Sequence, residues 1–337
     1  MGRRLGRSRL AEKEDFYYIK RYIVLCECVL TMRSAPSFGV QAFFDEVTGT
    51  VSYVLHDVAS REAAVIDPVW DFDAKSGRTS TASAQRIADY LDAEQLTLRW
   101  VLETHAHADH LSAAQWLRTQ MPVGAVRIAA PVVIGQRITQ VQKVFGGIYG
   151  MEGCIAPQGA DFDCLLRDGD VLALGATRIR ALGVPGHTPA DLAYAVEEGG
   201  AAAGMVAAIF VGDTLFMPDV GTARCDFPGG DAHALYRSIG RLLAHPPETL
   251  LYVCHDYPPA GRAAAWCSTV AEQRAHNIHV HEGVDEAAFV VMREARDATL
   301  AMPQLMLPSV QVNIRAGRLP DADGQGRRFL KLPVDAL

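Results

Sequence analysis

Thr104-His105-Ala106-His107-Ala108-Asp109-His110 decides the reading of this chain. It follows directly on Leu98 to Leu102, a short apolar run that predicts a strand. On a loop leaving a strand, two imidazoles at i and i+2 can face one point, here His105 and His107. Asp109 and His110, at the start of the next element, then face a second point close by. Imidazole and carboxylate together suit zinc, iron, nickel or manganese. A single histidine on a turn is usually only solvated, but four ligand-type side chains within six positions after a strand predict a metal site.

Three more residues share that context, a ligand-type side chain at the C-terminal end of an apolar strand. His187 follows Val184-Pro185-Gly186, Asp213 follows Ile209-Phe210-Val211-Gly212, and His255 follows Leu251-Tyr252-Val253-Cys254. The C-terminal edges of strands in α/β sheets are where ligands gather. His56, His233, His245, His276, His279 and His281 lack the context and are expected on the surface, in loops or helices.

Outward from the histidine run, periodicity sets the elements. Strands are expected at Val51–Leu55, Ala63–Ile66, Val126–Ala129, Val171–Leu174, Thr177–Leu182, Leu192–Val196, Ala208–Val211 and Leu250–Val253. Helices are expected around Ile87 to Leu96 and over Leu111–Gln120, Gln136–Phe145, Ala232–Leu243 and Ala264–His276. Pro68 to Ser83 reads as a loop, and the Pro- and Gly-broken tail from Pro303 to Leu337 reads as a surface wrap. Strand pairs with interleaved helices predict an α/β (α+β) chain of two mixed sheets packed face to face and covered by helices.

The 337 residues, 49% hydrophobic and 21% charged, can bury a large core. A formal charge of −7, from 32 basic and 39 acidic residues, argues against a nucleic-acid surface. No apolar run reaches the roughly 20 residues that would cross a bilayer. The 7 cysteines show neither a C-x-x-C pair nor a dense framework, which predicts a reducing, cytoplasmic setting. Residues 1–34 are expected to be an N-terminal extension, disordered or arising from a start site called too early with Met32 as the true beginning. Arg3, Arg4, Arg7 and Arg9 are interrupted by Glu12, Glu14 and Asp15, and Glu27 breaks Tyr22 to Leu30, so a targeting segment fits poorly. Residues 35–337 are expected to be one domain, with 258–337 a C-terminal helical and tail region.

The run T-H-x-H-x-D-H, then Gly186-His187-Thr188, Gly212-Asp213 and the strand-terminal His255, resembles the metal signature of the metallo-β-lactamase superfamily. The resemblance implies an αββα four-layer sandwich with the metal site at the edge between the sheets. Gly212 to Phe216, Gly221 to Phe227, Leu235 to Ile239, His255-Asp256-Tyr257 and Leu307 to Arg315 resemble the persulfide dioxygenases. The loop Pro68 to Asp73 resembles their bacterial branch, the β-lactamase hydrolase-like proteins. In that family one Fe(II) is held by two histidines and an aspartate, which fall here on His105, His187 and Asp213. The implied substrates are glutathione persulfide, or a related thiol persulfide, and O2. Arg224 falls where the family reaches the glutathione carboxylates, and Tyr257 where it has a tyrosine near the metal. The chain departs from the family at Ala316, where animal members carry cysteine, and at His279, where an arginine that helps bind glutathione is expected. The alternative is a dinuclear zinc hydrolase of the glyoxalase II type. There His105, His107 and His187 would hold one Zn(II), Asp109, His110 and His255 the other, and Asp213 would bridge. A small-molecule substrate and a second copy of the chain in a homodimer are the expected partners, with no nucleic acid and no membrane.

Overall fold

The structure, a computed structural model, describes residues 36–121, 129–199 and 204–336. In chain order the first half runs β1 (Phe38–Phe44), β2 (Val51–Asp57), β3 (Glu62–Ile66), β4 (Val69–Asp73), β5 (Arg78–Ser80), α1 (Ala82–Ala93), β6 (Thr97–Leu102), β7 (Leu111–Ser112), α2 (Ala114–Gln120), β8 (Val132–Gly135), α3 (Ile138–Tyr149) and β9 (Cys164–Leu166). The second half runs β10 (Val171–Leu174), β11 (Thr177–Gly183), β12 (Leu192–Glu197), β13 (Val206–Phe210), α4 (Ala232–Leu243), β14 (Leu250–Tyr252), β15 (Cys267–Thr269), α5 (Val270–His276), α6 (Glu286–Asp297) and α7 (Met306–Asn313).

Two six-stranded mixed sheets result, ordered β1-β2-β3-β6-β8-β9 and β10-β11-β12-β13-β14-β15. Their facing sides supply one core, in which Tyr53, Leu55, Ile66 and Leu102 of the first sheet meet Ile179, Tyr194 and Phe210 of the second. The outer face of the first sheet is sealed by Ile87 and Leu91 of α1, Leu117 of α2, Val141 and Phe145 of α3 and Val310 of α7. The outer face of the second is sealed by Leu235, Ile239 and Leu242 of α4, Val270 of α5 and Phe289 of α6. The order of layers is therefore helix, sheet, sheet, helix, the αββα sandwich. Among the described residues no helix is long and apolar enough to cross a membrane.

Two parallel strand pairs set the position of the site. In the first sheet Ile66 of β3 lies opposite Leu102 of β6, so the chain leaves both strands at one edge, at Asp67 and at the histidine run. In the second sheet Phe210 of β13 lies opposite Tyr252 of β14, and three residues further along each chain stand Asp213 and His255. Tyr53 ties the sheets together near this edge. Its hydroxyl donates to the Val253 carbonyl at 2.6 Å and to that of Trp266 at 3.2 Å.

Several expectations change. The loop at Pro68 to Ser83 contains the hairpin β4–β5, whose β4 also pairs with β7. Asp71 and Asp73 alternate with Trp70 and Phe72, so strand alternation is hidden inside polar composition. The helix expected from Leu111 starts instead at Ala114, because Leu111 and Ser112 are spent pairing with Trp70 and Val69. The helix expected from Ala264 starts at Val270. Cys267–Thr269 pairs with β14, and Thr269 then opens α5 with a reciprocal capping box to Glu272. The tail from Pro303 contains α7, whose Ser309, Gln311 and Asn313 are buried, so it does more than wrap the surface. His279 is buried, and His56 is half-buried on β2, so neither is the surface residue expected. The strand expected at Val126–Ala129 and the extension at 1–34 lie outside the described residues, except for Ala129 itself, which is not in a strand.

Replacing Tyr53 by Phe strands the buried Val253 carbonyl, beside the strand end that carries His255, while the Trp266 carbonyl keeps the Val253 amide. We expect a loss of about 1–3 kcal/mol in unfolding free energy by urea titration. An unchanged midpoint would mean that the hydroxyl does not tie the sheets.

Candidate metal centre

The centre is assembled on Asp67, which leaves β3 with φ 49°. Its Oδ1 accepts from the Thr104 amide at 2.7 Å and its Oδ2 from the Thr104 hydroxyl at 2.8 Å. His107 Nε2 lies 3.0 Å from the same Oδ1. Thr104 Oγ1, its proton given to Asp67, stands 3.0 Å from His105 Nδ1 and can accept from it. That assignment leaves the Nε2 lone pair of His105 facing the site. Gly212 passes close to Thr104 with φ +55°, where a Cβ would come within 3.0 Å of the threonine, and this close approach aims Asp213 at the histidines.

Ligand atoms of His105, His187 and Asp213 all lie within 4.8 Å of one another. Asp213 Oδ2 is 3.8 Å from His105 Nε2 and 3.6 Å from His187 Nε2. His187 Nδ1 is 2.7 Å from the Arg224 carbonyl, so it carries the proton and Nε2 is again the free atom. A second group under the same 4.8 Å limit contains His107, Asp109, His110 and His255. Asp213 Oδ1 reaches it, at 3.4 Å from His255 Nε2, so one carboxylate faces both groups. The expected two-zinc arrangement put His107 with His105 and His187. The structure sets the His107 ring 4.0 Å from that of His105 and also gathers His107 with Asp109, His110 and His255, while Asp67 holds its Nε2.

The electrostatics follow from burial. His105 titrates well below the usual imidazole range, first through burial and then through neighbouring His107 and His187, so it is a neutral imidazole. For His107 burial works the same way, but Asp67 and Glu103 outweigh it and raise the group well above that range. Burial pushes the Asp109 carboxyl up, and His255 and His110 pull it well below its ordinary value, keeping it ionised. His107 Nδ1, His110 Nε2, Asp213 Oδ1 and both nitrogens of His255 are buried without a hydrogen-bond partner among the described residues. So many unpartnered polar atoms in one volume would be costly in a finished core, and they fit a metal cofactor.

Sequence reasoning missed two residues here. Asp67 shares the strand-end context of Asp213 and His255, a usable signal, but stands outside the ligand-type residues singled out from the sequence. Asn313 lies in α7, far along the chain. Its Nδ2 donates to the carbonyls of His107 (2.8 Å) and His110 (2.7 Å), and its Oδ1 accepts from the Ser112 amide at 2.8 Å. Of the residues singled out beforehand, Tyr257 stands half-exposed with its ring parallel to that of His255 at 5.7 Å. Arg224 places its fork on Asp226, at 2.6 Å for both contacts, and its Nη1 on the Ala301 carbonyl at 2.7 Å. A cleft of about 850 Å³, walled by the β4–β5 hairpin and by Pro303 to Leu305, opens beside the centre at Asp109 and Tyr257.

Comparison with known proteins agrees with this geometry. The family described as the metallo-beta-lactamase superfamily matches residues 46–255. The chain belongs to this superfamily of metal-dependent enzymes. It is 56% identical over 299 residues to a protein of Burkholderia pseudomallei named as a probable metallo-hydrolase, covering 88% of this chain and 99% of that one. It is 27% identical over 279 residues to the human mitochondrial persulfide dioxygenase ETHE1, covering 82% and 88%. Among solved structures, ETHE1 from Myxococcus xanthus superposes with a TM-score of 0.62 at 29% identity, over 83% of this chain and 100% of that one.

Replacing Asn313 by Ala removes three hydrogen bonds to the histidine loop while touching no ligand atom. We expect metal affinity, read by competition with a chelator, to fall about 10–100-fold in a protein that still folds. Wild-type affinity in that variant would show that the loop holds its shape without the clamp.

Proposed function

We propose that this chain is an Fe(II)-dependent persulfide dioxygenase, with one iron per chain. The reaction is R–S–SH + O2 + H2O giving R–SH, sulfite and two protons, with glutathione or a related thiol as R–SH. The observation that carries this reading is the compact group of His105, His187 and Asp213, two imidazoles and one carboxylate. Iron bound by such a set would supply open positions for O2 and a persulfide together with the redox chemistry that zinc lacks.

The chain's own residues prepare that chemistry. The Thr104 hydroxyl and the Arg224 carbonyl hold the Nδ1 protons of His105 and His187, so both rings present Nε2 without rearrangement. Burial, then the charges of Asp109 and Asp213, pushes the Tyr257 hydroxyl far above its ordinary range. It therefore stays a phenol and serves as a hydrogen-bond donor at the mouth of the cleft. The thiol carrier occupies the cleft, with its sulfur end toward Asp109 and Tyr257. Arg224 is assigned to a carboxylate of that carrier, through N–H groups not already given to Asp226 and Ala301.

A second reading, a dinuclear zinc hydrolase of the glyoxalase II-like thioesterase or lactonase type, is favoured by the second group of His107, Asp109, His110 and His255 and by the reach of Asp213 into both groups. Two zinc ions there would generate a hydroxide near neutral pH.

Oxygen-electrode and hydrolysis assays on anaerobically purified protein separate the two. We expect O2 uptake on adding glutathione persulfide, with sulfite formed, and no hydrolysis of S-lactoylglutathione. Thioester hydrolysis without O2 uptake would overturn the dioxygenase reading.

A further inference from the structure

Arg293 is the largest side chain that is fully buried among the described residues. It lies on α6, one turn before Asp297; its Nε donates to Asp297 Oδ1 at 2.9 Å, and its Nη2 stands 2.6 Å from the same oxygen as an ion pair. Burying an ion pair is costly compared with packing apolar residues of the same volume, so what the pair holds matters. Asp297 Oδ2 accepts from the Cys225 amide at 2.9 Å. Arg293 Nη1 donates to the Thr222 carbonyl at 3.2 Å and lies 3.4 Å from the Thr222 hydroxyl. The Thr222 amide in turn donates to His279 Nδ1 at 3.0 Å, across Gly221, where a Cβ would strike the imidazole at 2.2 Å.

These contacts fix the loop at two points, Thr222 and Cys225, and Arg224 lies between them. Its side chain is tied to Asp226 and to Ala301, and its carbonyl receives His187 Nδ1 at 2.7 Å. A backbone carbonyl pinned from both flanks is a rigid acceptor. A histidine bonded to it keeps one tautomer and one ring orientation.

We propose that the buried Arg293–Asp297 pair is a positioning device for His187. By holding Thr222 and Cys225 it fixes the Arg224 carbonyl, and that carbonyl keeps His187 in its Nδ1–H form with Nε2 turned toward Asp213. Neither Arg293 nor Asp297 is placed among the ligand groups. The consequence for metal affinity rests on His187 being a ligand, as proposed above, but the tautomer does not.

The test is nitrogen-15 NMR of labelled histidine in the metal-free protein, paired with Co(II) titration. Wild-type His187 should show a single Nδ1–H tautomer. In Arg293→Met/Asp297→Leu, which replaces the pair by apolar groups of similar size, His187 should show both tautomers, and Co(II) should bind about 10–100-fold more weakly. Asp297→Asn keeps an acceptor for the Cys225 amide but gives up the charge that holds Arg293. It should shift His187 and Co(II) affinity in the same direction by a smaller factor, and it decides the matter if the double variant does not fold. A single Nδ1–H tautomer retained in either folded variant would overturn the proposal. Mixed tautomers with unchanged Co(II) affinity would leave the positioning role standing and count against His187 as a ligand.

Discussion

Asp67 is the point through which the two sheets and the metal loop are joined. Its backbone carbonyl accepts from the Ser52 hydroxyl on β2, its carboxylate takes Thr104 and His107 from the loop after β6, and Cys254, beside the end of β14, donates its thiol at 3.6 Å. Held at φ 49°, it carries backbone strain of about 1–3 kcal/mol. Strain of that size persists where surrounding bonds over-determine the conformation, as the bonds to Ser52, Thr104, His107 and Cys254 do here. Burial pushes the carboxyl up, but His107 and the Thr104 bonds bring it below its ordinary value, so the group stays charged inside the core.

From that point the arrangement divides into two ligand groups that share Asp213. The division is electrostatic as well as spatial. His105 is neutral because it is buried among other imidazoles, while His107 is bonded to Asp67 and lies near Glu103. Outer partners reach each group from a different layer of the sandwich. Asn313 of α7 clamps the carbonyls of His107 and His110 from the helices over the first sheet. The loop between β13 and α4, anchored on α6, holds His187 from the helices over the second. Both helical layers therefore act on the edge between the sheets, where neither sheet alone could complete the site.

Much of this was legible in the chain. The histidine run and the strand-end positions of His187, Asp213 and His255 announced the donor set, because those side chains are too costly to gather in a core without a metal. The α4 helix was legible because its apolar stripe is clean. What was hidden lay in pairing and in long-range partners. β4 mixes aspartates with aromatic residues and borrows its partner from β7, and β15 looked helical because nothing local reveals its pairing with β14. Asn313 and the Arg293–Asp297 pair carry no local signal at all, since a buried amide or ion pair is recognised only by what folding brings to it.

The central claim is that the His105, His187 and Asp213 group, and not the second group, holds the working metal. The most direct measurement is iron content of Asp213→Ala and Asp109→Ala after anaerobic loading, by elemental analysis against wild type. The account predicts that the Asp213 variant is nearly empty while the Asp109 variant retains about one iron per chain. Equal loss from both, with two metal ions per chain in the wild type, would contradict it.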